Sequence, residues 1–271
     1  MKRKMIICLI FLLVFTMIPS NAFAETDSPY AILNSNDESL TFYYGAVPLS
    51  VEAYETLYSS TDFDDALWYE NCDSITTVIF DSSMEDCTII ESTEWWFADF
   101  TNFESVIGLE YFNTSNVANM VSMFSGCTSL TSLDLSTFNT ENVIDMQDMF
   151  SGCTNLVTLD LTSFDTSNSN NMSNLFKDCS SLKSIYATDK LSLNAKAKTE
   201  SENIFYGCSN LTGDFGTMLE VSEYDNETEA ISYFRLDTLS NPGLFSTGKP
   251  FTVKDLKVSN LDQGRKLVMQ V

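Results

Sequence analysis

The sequence predicts an α/β fold: a right-handed solenoid with short parallel strands on one face and short helices on the other. A β-rich cap closes its N-terminus and a second cap its C-terminus. Three observations predict it. First, FNTSNVANMVSMFSGCTSLTSLDLST (112–137) returns as FNTENVIDMQDMFSGCTNLVTLDLTS (138–163) and as FDTSNSNNMSNLFKDCSSLKSIYATD (164–189). Second, Phe112, Phe138 and Phe164 are 26 residues apart, as are Met120, Met146 and Met172, and Cys127, Cys153 and Cys179. Third, the first two copies end in an apolar run of period two. A fixed period of this length marks stacked units, each burying its apolar face against the next.

In chain order, residues 1–24 read as a secretory signal peptide. Lys2, Arg3 and Lys4 form the basic start, Met5–Pro19 the apolar core, and Ala22-Phe23-Ala24 the small-x-small cleavage site. The apolar run falls short of the ~20 residues of a membrane span, so no membrane insertion is expected after cleavage. Cys8 lies inside the run rather than after a lipobox, and no LPxTG-like sorting motif follows near the C-terminus. The mature chain keeps all 38 acidic residues against 11 of the 14 basic ones, a net of −27. That charge repels nucleic acid and anionic membranes, while 44% hydrophobic content is too high for a disordered acidic tail. The chain holds no histidine. Serine–histidine and cysteine–histidine catalysis and imidazole zinc sites are thereby excluded.

Residues 25–93 read as the N-terminal cap. Tyr30–Leu33 and Leu40–Tyr44 flank a polar turn and predict a hairpin, and Ile75–Phe80 is a β-branched strand. A stack exposes its apolar core at each end, so such a cap is physically required. Repeats are expected over 94–211. The first is degenerate: Trp96-Phe97 aligns with Met123-Phe124, and Val106, Ile107 and Leu109 fill the place of Leu133 and Leu135. In the full repeats a short helix is expected after an N-capping Thr or Ser, as over Thr140–Phe150, with Gly126 or Gly152 as its stop. Val143, Met146, Met149 and Phe150 would form its apolar stripe.

After each cysteine comes Leu130-x-x-Leu133-x-Leu135, Leu156-x-x-Leu159-x-Leu161, and then Leu182-x-x-Ile185. This is the strand of a leucine-rich repeat, with alternate residues inward. The period loosens over 189–202, and Ile204–Leu211 restores the register for a last partial unit. Residues 212–248 read as the C-terminal cap and 249–271 as a short β-like tail, the start of a truncated module.

On these residues the chain resembles the BspA-like leucine-rich-repeat surface proteins of bacteria. FNTSNVANMVSMFSGCTSLTSLDLS (112–136) and its two copies carry the resemblance, and Gly207–Leu211 and Ser240–Ser246 extend it, so that it covers roughly 28–248. It implies an extracellular, often cell-surface protein of a family with adhesins among its members. Ser169, Asn170, Lys177 and Asp178 depart from the repeat pattern.

Cys127, Cys153, Cys179 and Cys208 recur at one position and read as a buried structural ladder of small thiols. Chaining them by disulfides would strain, because coils sit ~4.8 Å apart and a disulfide wants Cβ atoms at ~3.8 Å. Cys72 and Cys87 are left open, paired or free. The outward strand positions are the candidate ligand face: Glu110, Ser132, Asp134, Ser136, Thr158, Asp160, Thr162, Ser184 and Tyr186, with Thr188 at its end. Asp134 and Asp160 would stack as like charges, inviting Ca²⁺ or a basic protein segment. Trp68, Trp95 and Trp96 read as packing before a sugar platform. No catalytic residue, metal site or cofactor is expected.

Three functions are weighed. The first is a monomeric, non-enzymatic recognition protein, secreted or surface-associated, that binds an extracellular protein or glycan through its strand face. The second is a structural spacer displaying another module. The third is a secreted hydrolase using Asp134 and Asp160 as paired carboxylates.

Overall fold

The computed structural model describes residues 27–34, 38–46, 54–55, 68–188, 190–194, 196–212 and 245–246. The signal segment, nearly all of the C-terminal cap and the tail lie outside them.

The cap begins with strand β1 (Ser28–Asn34) and strand β2 (Ser39–Gly45), the expected antiparallel hairpin. A two-residue strand, β3 (Tyr54–Glu55), pairs with the outer edge of β1. Strand β4 (Thr77–Phe80) then lies parallel to β2, and β5 (Ser105–Ile107) parallel to β4. The hairpin thus hands its sheet directly to the repeats. Alternation along β4 turns Val78 and Phe80 into the core. Strands β6 (Thr158–Asp160), β7 (Ser184–Tyr186) and β8 (Phe245–Ser246) make a second, wholly parallel sheet. Asp134 joins β6 through a parallel bridge to Asp160. The coils therefore form a leucine-rich-repeat-like stack with parallel strands on one side.

The opposite side corrects the expectation of helices. Among the described residues the three full repeats contain none; the one α-helix, α1, is the single turn Ala197–Glu200. Residues 120–127 are successive turns in which alternate backbone N–H groups point different ways. Met123, Ser125 and Cys127 donate within the coil, to the carbonyls of Met120, Ser122 and Phe124. Met120, Ser122, Phe124 and Gly126 donate to the next coil, to Asp145, Gln147, Met149 and Ser151. The coil of 146–152 repeats the pattern onto Asn171, Ser173, Leu175 and Lys177. A helix spends its N–H groups on its own carbonyls, leaving none for the neighbouring coil. Here half of them tie the stack together.

Left-handed residues make this possible. Ser122, Asp148 and Asn174 take φ of 54°, 56° and 57°, and Gly126 and Gly152 both take 73°. Asn, Asp and Gly tolerate this region best. Gly126 is also a close approach: a Cβ there would collide with the Asp99 carboxylate. The glycines are turn residues of the stack, not helix stops.

Two phenylalanine columns run through the core. Phe42, Phe80, Phe112, Phe138 and Phe164 form one, with successive centroids 5.1, 4.9, 6.0 and 6.4 Å apart. Phe97, Phe124, Phe150, Phe176 and Phe205 form the other, at 5.5, 5.9, 5.9 and 5.6 Å. Val143, Met146, Met149 and Phe150 are all fully buried, as their spacing predicts, although turns rather than a helix place them. The degenerate first coil needs one correction. Ile107 is 56% exposed, and Val106, half-buried, takes the inward position instead. The left-handed Gly108 behind them (φ 74°) supplies the extra residue before Leu109 turns inward.

Candidate ligand-binding strand face

The polar residues repeated every 26 positions divide into those the stack uses internally and those it leaves outside. Thr114, Thr140 and Thr166 are buried. Thr140 Oγ1 donates to the Asp165 carbonyl at 3.0 Å and accepts from the Asp165 N–H at 2.8 Å; Thr114 does the same with Asn139. These threonines, expected as N-caps, are bolts between coils. Asn116, Asn142 and Asn168 act likewise, each giving its side-chain N–H to a carbonyl of the preceding coil (Thr88, Ser115 and Glu141). Their 26-residue spacing was visible in the sequence, but cap chemistry explains the same residue types, so the tie between coils was not.

The cysteine ladder is buried and free of disulfides, and Cys72 and Cys87 are free too. Each ladder thiol donates to a phenylalanine carbonyl one coil back: Cys127 to Phe97, Cys153 to Phe124, Cys179 to Phe150 and Cys208 to Phe176, at 2.9–3.1 Å. Burial pushes the Cys179 thiol up to about 12 and raises Cys127, Cys153 and Cys208 well above the ordinary thiol range. A protonated, desolvated thiol is neither nucleophile nor metal ligand.

The outward strand positions form two rows. Thr158 and Ser184 pair in one; Asp134, Asp160 and Tyr186 follow one another in the other. Ser132, Ser136, Asp134, Thr158 and Asp160 are exposed, and Thr162, Ser184 and Tyr186 half-buried. Glu110 does not join the rows, since it lies in a 3-10 turn, Leu109–Tyr111, after Gly108. Thr188 is half-buried, and its hydroxyl oxygen is enclosed without a hydrogen-bond partner.

Asp134 and Asp160 stand on adjacent rungs, as expected, and each also holds its own turn. Asp134 Oδ1 accepts the Ser136 N–H at 3.0 Å; Asp160 Oδ1 accepts the Thr162 N–H at 2.9 Å and its hydroxyl at 2.7 Å. Hydrogen bonds from Ser136 lower the Asp134 pKa. Asp134 is thus held below, not raised toward, the neutral pH at which a general acid stays protonated. No group of three or more metal-ligating side chains lies together among the described residues. Trp68 and Trp96 are buried, with Trp68 Nε1 donating to the Trp96 carbonyl and Trp96 stacked on Phe42 and Phe112. Only Trp95 of the three is exposed, so they form no sugar platform.

Residues 90–223 match a family described as "Mycoplasma protein of unknown function, DUF285". No curated protein matches the chain. Among solved structures it is similar to a leucine-rich repeat protein of T. pallidum, at 19% identity and a TM-score of 0.40, over 72% of this chain and 79% of that one. It is also similar to a leucine rich cell surface protein of Faecalibacterium prausnitzii, at 18% identity and a TM-score of 0.35, over 70% of this chain and 54% of that one.

Proposed function

We propose that the mature chain is an exported, non-enzymatic recognition protein of the BspA-like kind, a right-handed solenoid binding an extracellular protein or glycan through its strand face. One observation carries this reading. The repeated threonines, asparagines and cysteines are consumed inside the stack, whereas the outward strand residues keep polar groups accessible to a partner. Asp134, Asp160 and Tyr186 occupy one row, two carboxylates followed by a phenol. Stacked repeats are known for presenting such an extended binding surface. The signal-like residues 1–24 support export to a compartment where such a ligand is met.

The test is a binding screen of the mature chain against extracellular matrix proteins and a glycan array. A parallel variant carries Asp134→Asn, Asp160→Asn and Tyr186→Ser. Asparagine keeps the side-chain oxygen that holds each turn, so the fold is preserved. A ligand captured by the wild type and lost by the variant is the expected result. Ligands that the variant retains in full would place recognition elsewhere. The backbone ladder between coils favours a second reading, a rigid spacer displaying another module, and silence across the screen moves the weight to it.

A further inference from the structure

Charge is distributed unevenly along this chain. Residues 25–176 contain 25 aspartates and glutamates and no lysine or arginine; all 11 basic residues of the mature chain lie in 177–271. Several described lysines already have acceptors nearby. Lys190 pairs with Asp165 at 3.2 Å, Lys196 with Glu200 at 3.6 Å, and Lys177 lies 6.0 Å over the Tyr206 ring. The strand face from β4 to β6 therefore carries no positive side chain of its own. Its outward residues combine three chemistries. Thr77 and Ser105 pair their hydroxyls at 3.2 Å, and Ser132 and Thr158 continue this polar type. Ile79 pairs with Ile107, which is exposed. Asp134 and Asp160 follow on adjacent rungs.

We propose that the strand side of the stack, across its two sheets, docks an extended, cationic polypeptide segment, with a guanidinium or ammonium group between Asp134 and Asp160 and an apolar side chain on Ile107. The proposal rests on the strand-face reading above and names its partner class. Acceptor count separates this occupant from a metal ion. Ca²⁺ requires about 6–8 oxygen ligands, and each carboxylate here already spends Oδ1 on its own turn. A single cationic side chain needs far fewer. Rungs ~4.8 Å apart let it reach both carboxylates within the ~2.8 Å of a charge-assisted hydrogen bond. It also relieves the like-charge stacking that the face otherwise bears.

The test is calorimetric titration of the mature chain with a synthetic peptide alternating Arg with Ile and Thr, and with its Glu-for-Arg counterpart. The wild type should bind only the arginine peptide, and more weakly as salt is raised. Asp134→Asn with Asp160→Asn should weaken binding by about tenfold, and Ile107→Ser by several-fold. Glu91→Gln with Glu141→Gln removes the same charge away from the face and should leave affinity unchanged. Equal weakening in the two double variants would reduce the effect to bulk charge and overturn the proposal, as would no binding at all. A Ca²⁺ titration signal abolished by Asp134→Asn with Asp160→Asn would overturn it in favour of a metal site. A glycan or neutral protein lost from the face variants, with the arginine peptide unbound, would leave the recognition reading standing and this proposal refuted.

Discussion

Two columns of side chains cross the same coils and treat charge in opposite ways. On the turn side, Asn119, Asp145 and Asn171 follow one another through parallel bridges, alternating amide with carboxylate. Asn171 donates to Asp145 at 3.3 Å and to Gln147 at 2.9 Å, and Asn119 donates to Glu94 at 2.8 Å. That column satisfies itself. On the strand side, Asp134 and Asp160 are neighbours with no amide between them, and the donors that reach them come from their own turns. Alternation closes a polar column, whereas repetition of one charge leaves it open to a partner. The interior shows the closed behaviour most fully, because there an unsatisfied group has no water to turn to.

The largest effect should come from alkali, acting on the buried thiol ladder. The four ladder thiols are raised in the folded chain, so their stabilisation is complete below the ordinary thiol pKa and is lost as pH rises toward their folded values. Each shifted unit is worth about 1.4 kcal/mol, and all four thiols act in the same direction. Denaturation midpoints should fall steeply above about pH 9, and Cys153→Ala with Cys179→Ala should flatten that fall. An unchanged slope would break the contrast.

Next comes Phe150→Ala, which empties one ring from the stack between Phe124 and Phe176 and should cost about 3–5 kcal/mol by urea unfolding. Smaller again is Thr140→Val, which strips both bonds to the Asp165 backbone and should cost about 1–3 kcal/mol. Its strand-face counterpart, Thr162→Val, should stay within about 0.5 kcal/mol. Smallest is Asp134→Asn with Asp160→Asn, slightly destabilising near pH 7. Because the Asp134 pKa is lowered, the stability it adds is present above the ordinary carboxylate range and lost as pH falls through its folded value. The variant should therefore differ from the wild type in acid less than at neutral pH, a difference that thermal melts at the two pH values would resolve.

The same division governs what could be read without the structure. Burial of Phe112, Met120, Cys127, Leu133 and Leu135 followed from period alone, since a position repeated at every coil of a stack can face only one way. The adjacency of Asp134 to Asp160 was legible for the same reason, and the hairpin from two strand-like runs around a polar turn. The turn side was not. Thr140-Glu-Asn-Val-Ile-Asp-Met carries an N-cap and an apolar stripe that suit a helix locally, and only the neighbouring coil, accepting from Met146, Asp148 and Phe150, makes extended turns the better use of those N–H groups. Ile107 failed likewise, because one extra residue at Gly108 flips a strand's faces and nothing local announces it. The sequence by itself determined the repeat, its core and its charge; the tertiary structure decided which polar groups the coils consume, because that depends on what lies one coil away.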